Sequence, residues 1–113
     1  LQDEIKKKGH PWTLAKMFDG SAPVSEFLDV NTFPDHKNLN FELRVNGEVR
    51  QSGFSGNMLF PLDVLISYIT QFITIKKGDL IFTGTPEGVG KVSVGDRLQA
   101  SLEGHELLNF HVR

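Results

Sequence analysis

GDLIFTGTPEGVG, running from Gly78 to Gly90, is the stretch on which the reading of this chain turns. An apolar, β-branched and aromatic run, Leu80-Ile81-Phe82-Thr83, leads directly into Gly84-Thr85-Pro86, and Gly90-Lys91 follows. A phosphate loop is excluded by spacing. Counting back from Gly90-Lys91, its first glycine falls at position 85, which is Thr85, and the residue after Lys91 is Val92, which has no hydroxyl for magnesium. A dinucleotide-binding turn is excluded because Pro86, Gly88 and Gly90 oppose the helix it must open. Locally, then, the stretch predicts a strand, 80–83, followed by a glycine-rich turn.

Outward from this stretch the chain alternates between clear elements and irregular ones. Residues 1–8 read as the last turns of a helix, with Leu1 and Ile5 on one face, Lys6-Lys7-Lys8 suiting its C-terminus and Gly9 capping it. Residues 10–23 read as irregular or a single turn. In NLNFELRVNGEVRQSG, Phe41, Leu43 and Val45 alternate with Glu42 and Arg44, and Asn46-Gly47 predicts a hairpin with a type I′ turn. Pro61 to Ile73 places Leu62, Leu65, Ile66, Ile69, Phe72 and Ile73 at helical spacing. The last stretch predicts another hairpin, with Leu98, Ala100 and Leu102 answered by Leu108, Phe110 and Val112 across a turn at Glu103-Gly104. The class is α+β and strand-rich, with one main helix.

Composition bounds the function. The 113 residues are one domain's length, and nine Phe point to an aromatic core. A net charge of −2 with scattered Lys and Arg offers no basic face to nucleic acid. Without cysteine there is neither a disulfide scaffold nor thiolate chemistry, which suits a reducing compartment such as the cytoplasm. No apolar run approaches the ~18 residues of a membrane span. His10, His36, His105 and His111 have no metal-ligand spacing, and no Glu-x-Glu pair occurs, so a metal site made only from this chain is not expected. His105 and His111, around the terminal turn, are expected on the surface. Lys16 stands out between Trp12, Leu14, Met17 and Phe18: it either snorkels to solvent or presents a cation in a partly buried pocket, with Asp19 as its partner or as a cap of the turn.

Four stretches taken together resemble the fumarylacetoacetate hydrolase family: LQDEIKKKGHPWTLAKMFDGSAPVS, the NLNFELRVNGEVRQSG hairpin, NMLFPLDVLISYIT, and KGDLIFTGTPEGVGKVSVGD, which is similar to the family's C-terminal signature. The resemblance spans nearly the whole chain and is nearest to short members acting as acylpyruvate hydrolases or oxaloacetate decarboxylases. It implies a mixed β-sheet roll and a chain, 1–113, that is the C-terminal portion of a single catalytic domain. It implies Mg²⁺ or Mn²⁺ held by a Glu-x-Glu pair and an aspartate upstream of Leu1, so the chain alone would be inactive. It implies a homodimer acting on a small 2-oxo or diketo acid, by hydrolysis, decarboxylation or isomerisation, through a metal-stabilised enolate.

Three residues carry over by resemblance. Gln2 matches the glutamine facing the reacting end of the substrate, Lys16 the lysine pointing at the bound keto acid, and Thr85 the threonine that grips the substrate carboxylate. On this reading Gly84 lets the backbone come close and Pro86 stiffens the turn. The competing expectation is a metal-free homologue serving as a binding or structural subunit; the joint presence of Gln2, Lys16 and Thr85 favours catalysis.

Overall fold

The computed structural model describes residues 2–113. Its frame is two hairpins. Strands β1 (Asn40–Val45) and β2 (Glu48–Phe54) turn at Asn46-Gly47, and β3 (Arg97–Leu102) and β4 (His105–His111) turn at Glu103-Gly104. All four turn residues have positive φ, 54° and 86° in the first and 48° and 79° in the second, which is the type I′ geometry that matches strand twist. Glu103 is an unusual residue for that conformation. Its main-chain N–H donates to Asn40 O at 2.8 Å, and its carboxylate accepts from the Asn40 main-chain N–H and side-chain amide.

The hairpins join through β1 and β3, giving the order β2-β1-β3-β4. The α+β, strand-rich class is thus the one observed. Every pair in this sheet is antiparallel, whereas a mixed sheet was expected. Phe41, Leu43 and Val45 stand opposite Leu102, Ala100 and Leu98, and Leu108 and Phe110 on β4 extend that apolar face. The other face is polar and internally bonded: Arg44 to Glu42, Gln99 to Glu106, and Asn109 to Glu106. The period-two pattern decides which side chains meet, because opposite residues share a face. The Phe41 ring lies over Gly53, where a Cβ would stand 2.4 Å from its Cζ. Two residues fall outside the register. Leu43 faces Gln51 while Arg44 faces Val49, so Arg50 bulges from β2, and Leu107 bulges from β4 in the same way.

Helix α1 (Gln2–Lys7) ends as its lysines and Gly9 suggested. His10 N donates to Ile5 O and Gly9 N to Lys6 O, the two bonds of a Schellman cap. Ile5 is buried; Leu1, its expected partner on that face, lies outside the described residues. Helix α2 (Thr13–Lys16) is the single turn allowed for in 10–23.

Two expectations are corrected. Helix α3 (Leu62–Ile69) stops four residues short of Ile73. The Thr70 hydroxyl bonds back to Ile66 O and Ser67 O, and Phe72 and Ile73 close a terminal turn on Ile69 O. Of the six apolar residues at helical spacing only Leu65 and Ile69 are half-buried, because no described segment covers the stripe; Phe72 is 71% exposed. Residues 80–83 form no strand. Their β propensity is intact, but no described segment offers them a ladder, and a strand exists only in a pair. Among the described residues Ile5 and Val45 alone are buried hydrophobics, and no helix is long and apolar enough to cross a membrane.

Candidate active site

The segment from Leu80 to Val92 is held at both ends by the same device. In Lys76-Lys77-Gly78-Asp79 the Asp79 carboxylate accepts from Lys76 N at 2.7 Å while Asp79 N donates to Lys76 O. In Ser93-Val94-Gly95-Asp96 the Asp96 carboxylate accepts from Ser93 N at 2.7 Å while Asp96 N donates to Ser93 O. These Asx-type closures satisfy the turn's own polar groups. Asp96 also accepts from Asn46 Nδ2 at 2.9 Å. That bond, then the one from Ser93 N, holds its carboxyl below the usual carboxylate range. Between the two turns no main-chain N–H donates within the described residues, so the loop presents a row of free donors.

The middle of that loop meets β2. Gln51 Nε2 reaches Thr85 Oγ1 at 2.9 Å, Pro86 O at 3.0 Å and Glu87 O at 3.2 Å. The approach needs a glycine at 88. Its φ is +96°, and a Cβ there would stand 2.2 Å from the Arg50 carbonyl oxygen. A Cβ at Gly90 would stand 2.6 Å from Arg50 Nη1, so the loop also folds close against that guanidinium. Thr85 itself is exposed; the expected turn at Gly84-Thr85-Pro86 has no closing hydrogen bond among the described residues, and the chain bends at Glu87.

Gln2 lies on α1 and Lys16 ends α2, both exposed. The partly buried pocket weighed for Lys16 is not formed by the described residues: Leu14, Met17 and Phe18 are 74%, 72% and 64% exposed. Lys16 makes no ion pair among those residues. Asp19 neither pairs with it nor caps the turn, which Ser21 closes instead through Ser21 N to Phe18 O and Phe18 N to Ser21 Oγ. No hydrogen bond joins Gln2, Lys16 and Thr85 to one another among the described residues. Two open concavities lie elsewhere, about 350 Å³ beside Asp63, Ser67 and Tyr68 on α3, and about 500 Å³ over the polar sheet face at Glu42, Arg44 and Gln99.

The four histidines are exposed, and His105 lies tilted against Phe33, with ring centroids 6.0 Å apart and planes at 53°. Among the described residues no three His, Asp or Glu side chains stand together as a metal would require. These residues do not fit the Mg²⁺ or Mn²⁺ that the resemblance implies, and no chemical step through a metal follows from them.

The residue the sequence reading missed is Gln51. The sequence carried no signal for it: regular pairing back from Asn46-Gly47 sets Arg50 opposite Leu43, and only the bulge brings Gln51 onto the apolar face, where a half-buried amide needs a partner. Which partner was not legible, since it lies 34 residues away.

The fumarylacetoacetate (FAA) hydrolase C-terminal family matches residues 1–113, the whole chain. This chain belongs to the fumarylacetoacetate hydrolase family. Among curated members of the family it is 48% identical, over 99% of its own length, to the mitochondrial oxaloacetate tautomerase FAHD1 of Bos taurus. Among solved structures it superposes on a fumarylacetoacetate hydrolase family protein from Yersinia pestis CO92 with a TM-score of 0.91, 43% identity and 99% of the chain covered. It superposes on the fumarylpyruvate hydrolase from Pseudomonas aeruginosa, solved with Mn²⁺ and pyruvate, with a TM-score of 0.89 and 34% identity over 99% of the chain. The chain spans about half the length of each: 51% of the bovine tautomerase, 53% of the Yersinia chain and 48% of the Pseudomonas chain.

Proposed function

We propose that this chain is the substrate-gripping portion of a fumarylacetoacetate hydrolase-type catalytic domain acting on small 2-oxo or 1,3-dioxo acids. The reaction is one that passes through the enolate of a 2-oxo acid. Hydrolysis of an acylpyruvate or fumarylpyruvate releases that enolate when the C–C bond breaks. Decarboxylation of oxaloacetate releases it when carbon dioxide leaves, and tautomerisation passes through it when a proton moves between carbon and oxygen. The names of the bovine and Pseudomonas relatives support this set. Mg²⁺ or Mn²⁺, a homodimer and a reducing compartment such as the cytoplasm belong to the same proposal.

The observation that carries the reading is the Thr85 turn. Its hydroxyl is exposed, and the loop on either side has main-chain N–H groups without partners among the described residues. Neutral donors of this kind suit a carboxylate better than a cation or an apolar group. In this reading Thr85 donates to the substrate carboxylate. Lys16 supplies positive charge where negative charge develops, and Gln2 faces the reacting carbons.

The test is turnover by the complete protein, in the presence of Mg²⁺ or Mn²⁺, of enol-oxaloacetate and of an acylpyruvate, each followed against the uncatalysed rate. Acceleration of either that falls on Lys16→Met supports the reading. A folded protein that accelerates neither leaves the alternative of a binding or structural subunit in its place.

A further inference from the structure

We propose that Gln51 is a positioning residue of the substrate-binding turn, acting on substrate only through Thr85. The inference rests on the reading of Thr85 as a carboxylate donor and adds the group that makes it one.

A threonine hydroxyl is ambivalent. It has one hydrogen to give and two lone pairs to receive with, and it rotates to suit its surroundings. At Thr85 part of that freedom is removed. Gln51 Nε2 donates to Oγ1 at 2.9 Å, which occupies a lone pair and turns the hydroxyl hydrogen away from β2. The hydroxyl is left to donate outward, as a carboxylate requires. The orientation of the Gln51 amide is itself fixed. Pro86 O and Glu87 O, at 3.0 and 3.2 Å, are carbonyl oxygens that accept only, so the NH₂ end must face the turn.

Three further features serve this one side chain. The bulge at Arg50 immediately precedes Gln51, and bulges re-aim the side chains beside them. The missing side chain at Gly88 lets the loop come within reach of β2. From Leu80 to Val92 the hydrogen bonds tying the loop to the sheet, among the described residues, are those from Gln51 Nε2. The amide therefore sets both where the turn sits and which way its hydroxyl points.

The experiment uses the complete protein with pyruvate as probe ligand, its Kd measured by calorimetry for wild type, Gln51→Ala, Thr85→Ala and the double variant. Gln51→Ala is expected to weaken pyruvate about tenfold. In the Thr85→Ala background the same change should add less than about twofold, because the hydroxyl it acts through is gone. Gln51→Glu keeps the shape but points a carboxylate at two carbonyl oxygens. Its deficit should shrink as pH falls and the acid regains a proton to donate, a recovery that loss of packing would not give. If Thr85→Ala binds pyruvate as wild type does, the carboxylate-grip reading fails and the positioning role fails with it. If Thr85→Ala weakens binding but Gln51→Ala costs the same with and without the hydroxyl, the grip stands and the positioning role alone is overturned.

Discussion

Asn46 and Asp96 are hydrogen-bonded between the first hairpin turn and the start of the second hairpin, Nδ2 to Oδ1 at 2.9 Å. The Asn46 amide oxygen accepts from Arg97 N at 2.9 Å, and Asn46 N donates to Arg97 O. Glu103 makes the reciprocal link from the second turn to Asn40, where the first hairpin begins. Each hairpin therefore closes on the root of the other. The positive-φ residues that make the turns also carry the side chains that dock them.

The Asp96 link carries a pH signature. Its folded-state pKa lies below the ordinary aspartate value, chiefly through Asn46 and then Ser93 N. A carboxyl depressed on folding stabilises the fold above its unfolded pKa, and that contribution is lost as pH falls through the folded value. Asp96→Asn should lower Tm at neutral pH, and the gap to wild type should close below about pH 3.8. A gap of the same size at pH 3 and pH 6 in thermal melts would mean that the ionised carboxylate is not its source.

Gly88 and Gly78 separate steric contact from backbone strain. Both have φ near +100°, but a Cβ at Gly78 meets nothing within 4 Å while one at Gly88 meets the Arg50 carbonyl at 2.2 Å. Gly78→Ala should cost about 1–2 kcal/mol of strain. Gly88→Ala should cost at least about 1 kcal/mol more, since backbone must move to relieve the overlap. Denaturant midpoints of the two variants give the comparison, and equal midpoints would contradict the close approach of loop and strand.

Lys16→Met tests the proposal that this lysine supplies charge at the reacting centre. In the complete protein kcat should fall about 10²–10³-fold, the size seen when one preorganised donor to a developing oxyanion is removed. Tm should hold, because Lys16 is exposed and makes no ion pair among the described residues. Full activity in Lys16→Met would reduce the residue to a solvated side chain.

Thr85→Ala should lower kcat/KM roughly tenfold to a hundredfold, the worth of about 1.5–3 kcal/mol for a hydrogen bond to a charged group. Thr85→Ser, which keeps the hydroxyl, should restore most of it. The loss should be much smaller on an amide analogue of the same substrate. Equal losses on the acid and the amide would make Thr85 a residue that shapes the turn without gripping the carboxylate.

The 113-residue chain expressed alone should bind Mg²⁺ or Mn²⁺ no more tightly than an exposed acidic surface does, because its described residues hold no ligand cluster. Calorimetric titration reads this directly. Saturable binding that is abolished by one Asp→Asn change within the chain would reveal a site the geometry does not show.

Both hairpins were legible because their information is local: alternation along Phe41 to Val45 and Leu98 to Leu102, and turn pairs that tolerate positive φ. The run Leu80 to Thr83 reads as a strand for equally local reasons, yet a ladder depends on a neighbour that no local pattern specifies. The helical spacing of α3 was legible but its length was not, since Thr70 bonds back to its own helix and ends it. At the candidate site, Gln2, Lys16 and Thr85 were named by family resemblance alone, and Gln51, with its contact to Thr85, was not reached at all. Its part depends on a bulge that shifts register by one residue and on a contact across 34 positions, neither of which leaves a mark in periodicity.

The two Gly-Asp turns around the loop each close on themselves, through bonds between residues three apart. Neither needs anything that lies between them. The thirteen positions from Leu80 to Val92 thus lie between two clasps that do not depend on them, and within that length it is Thr85 to Gly88 that is tied to the sheet, through Gln51 and the close approach to Arg50. A chimaera that imports this length from a relative together with its residue 51 would carry the whole contact between loop and strand with it.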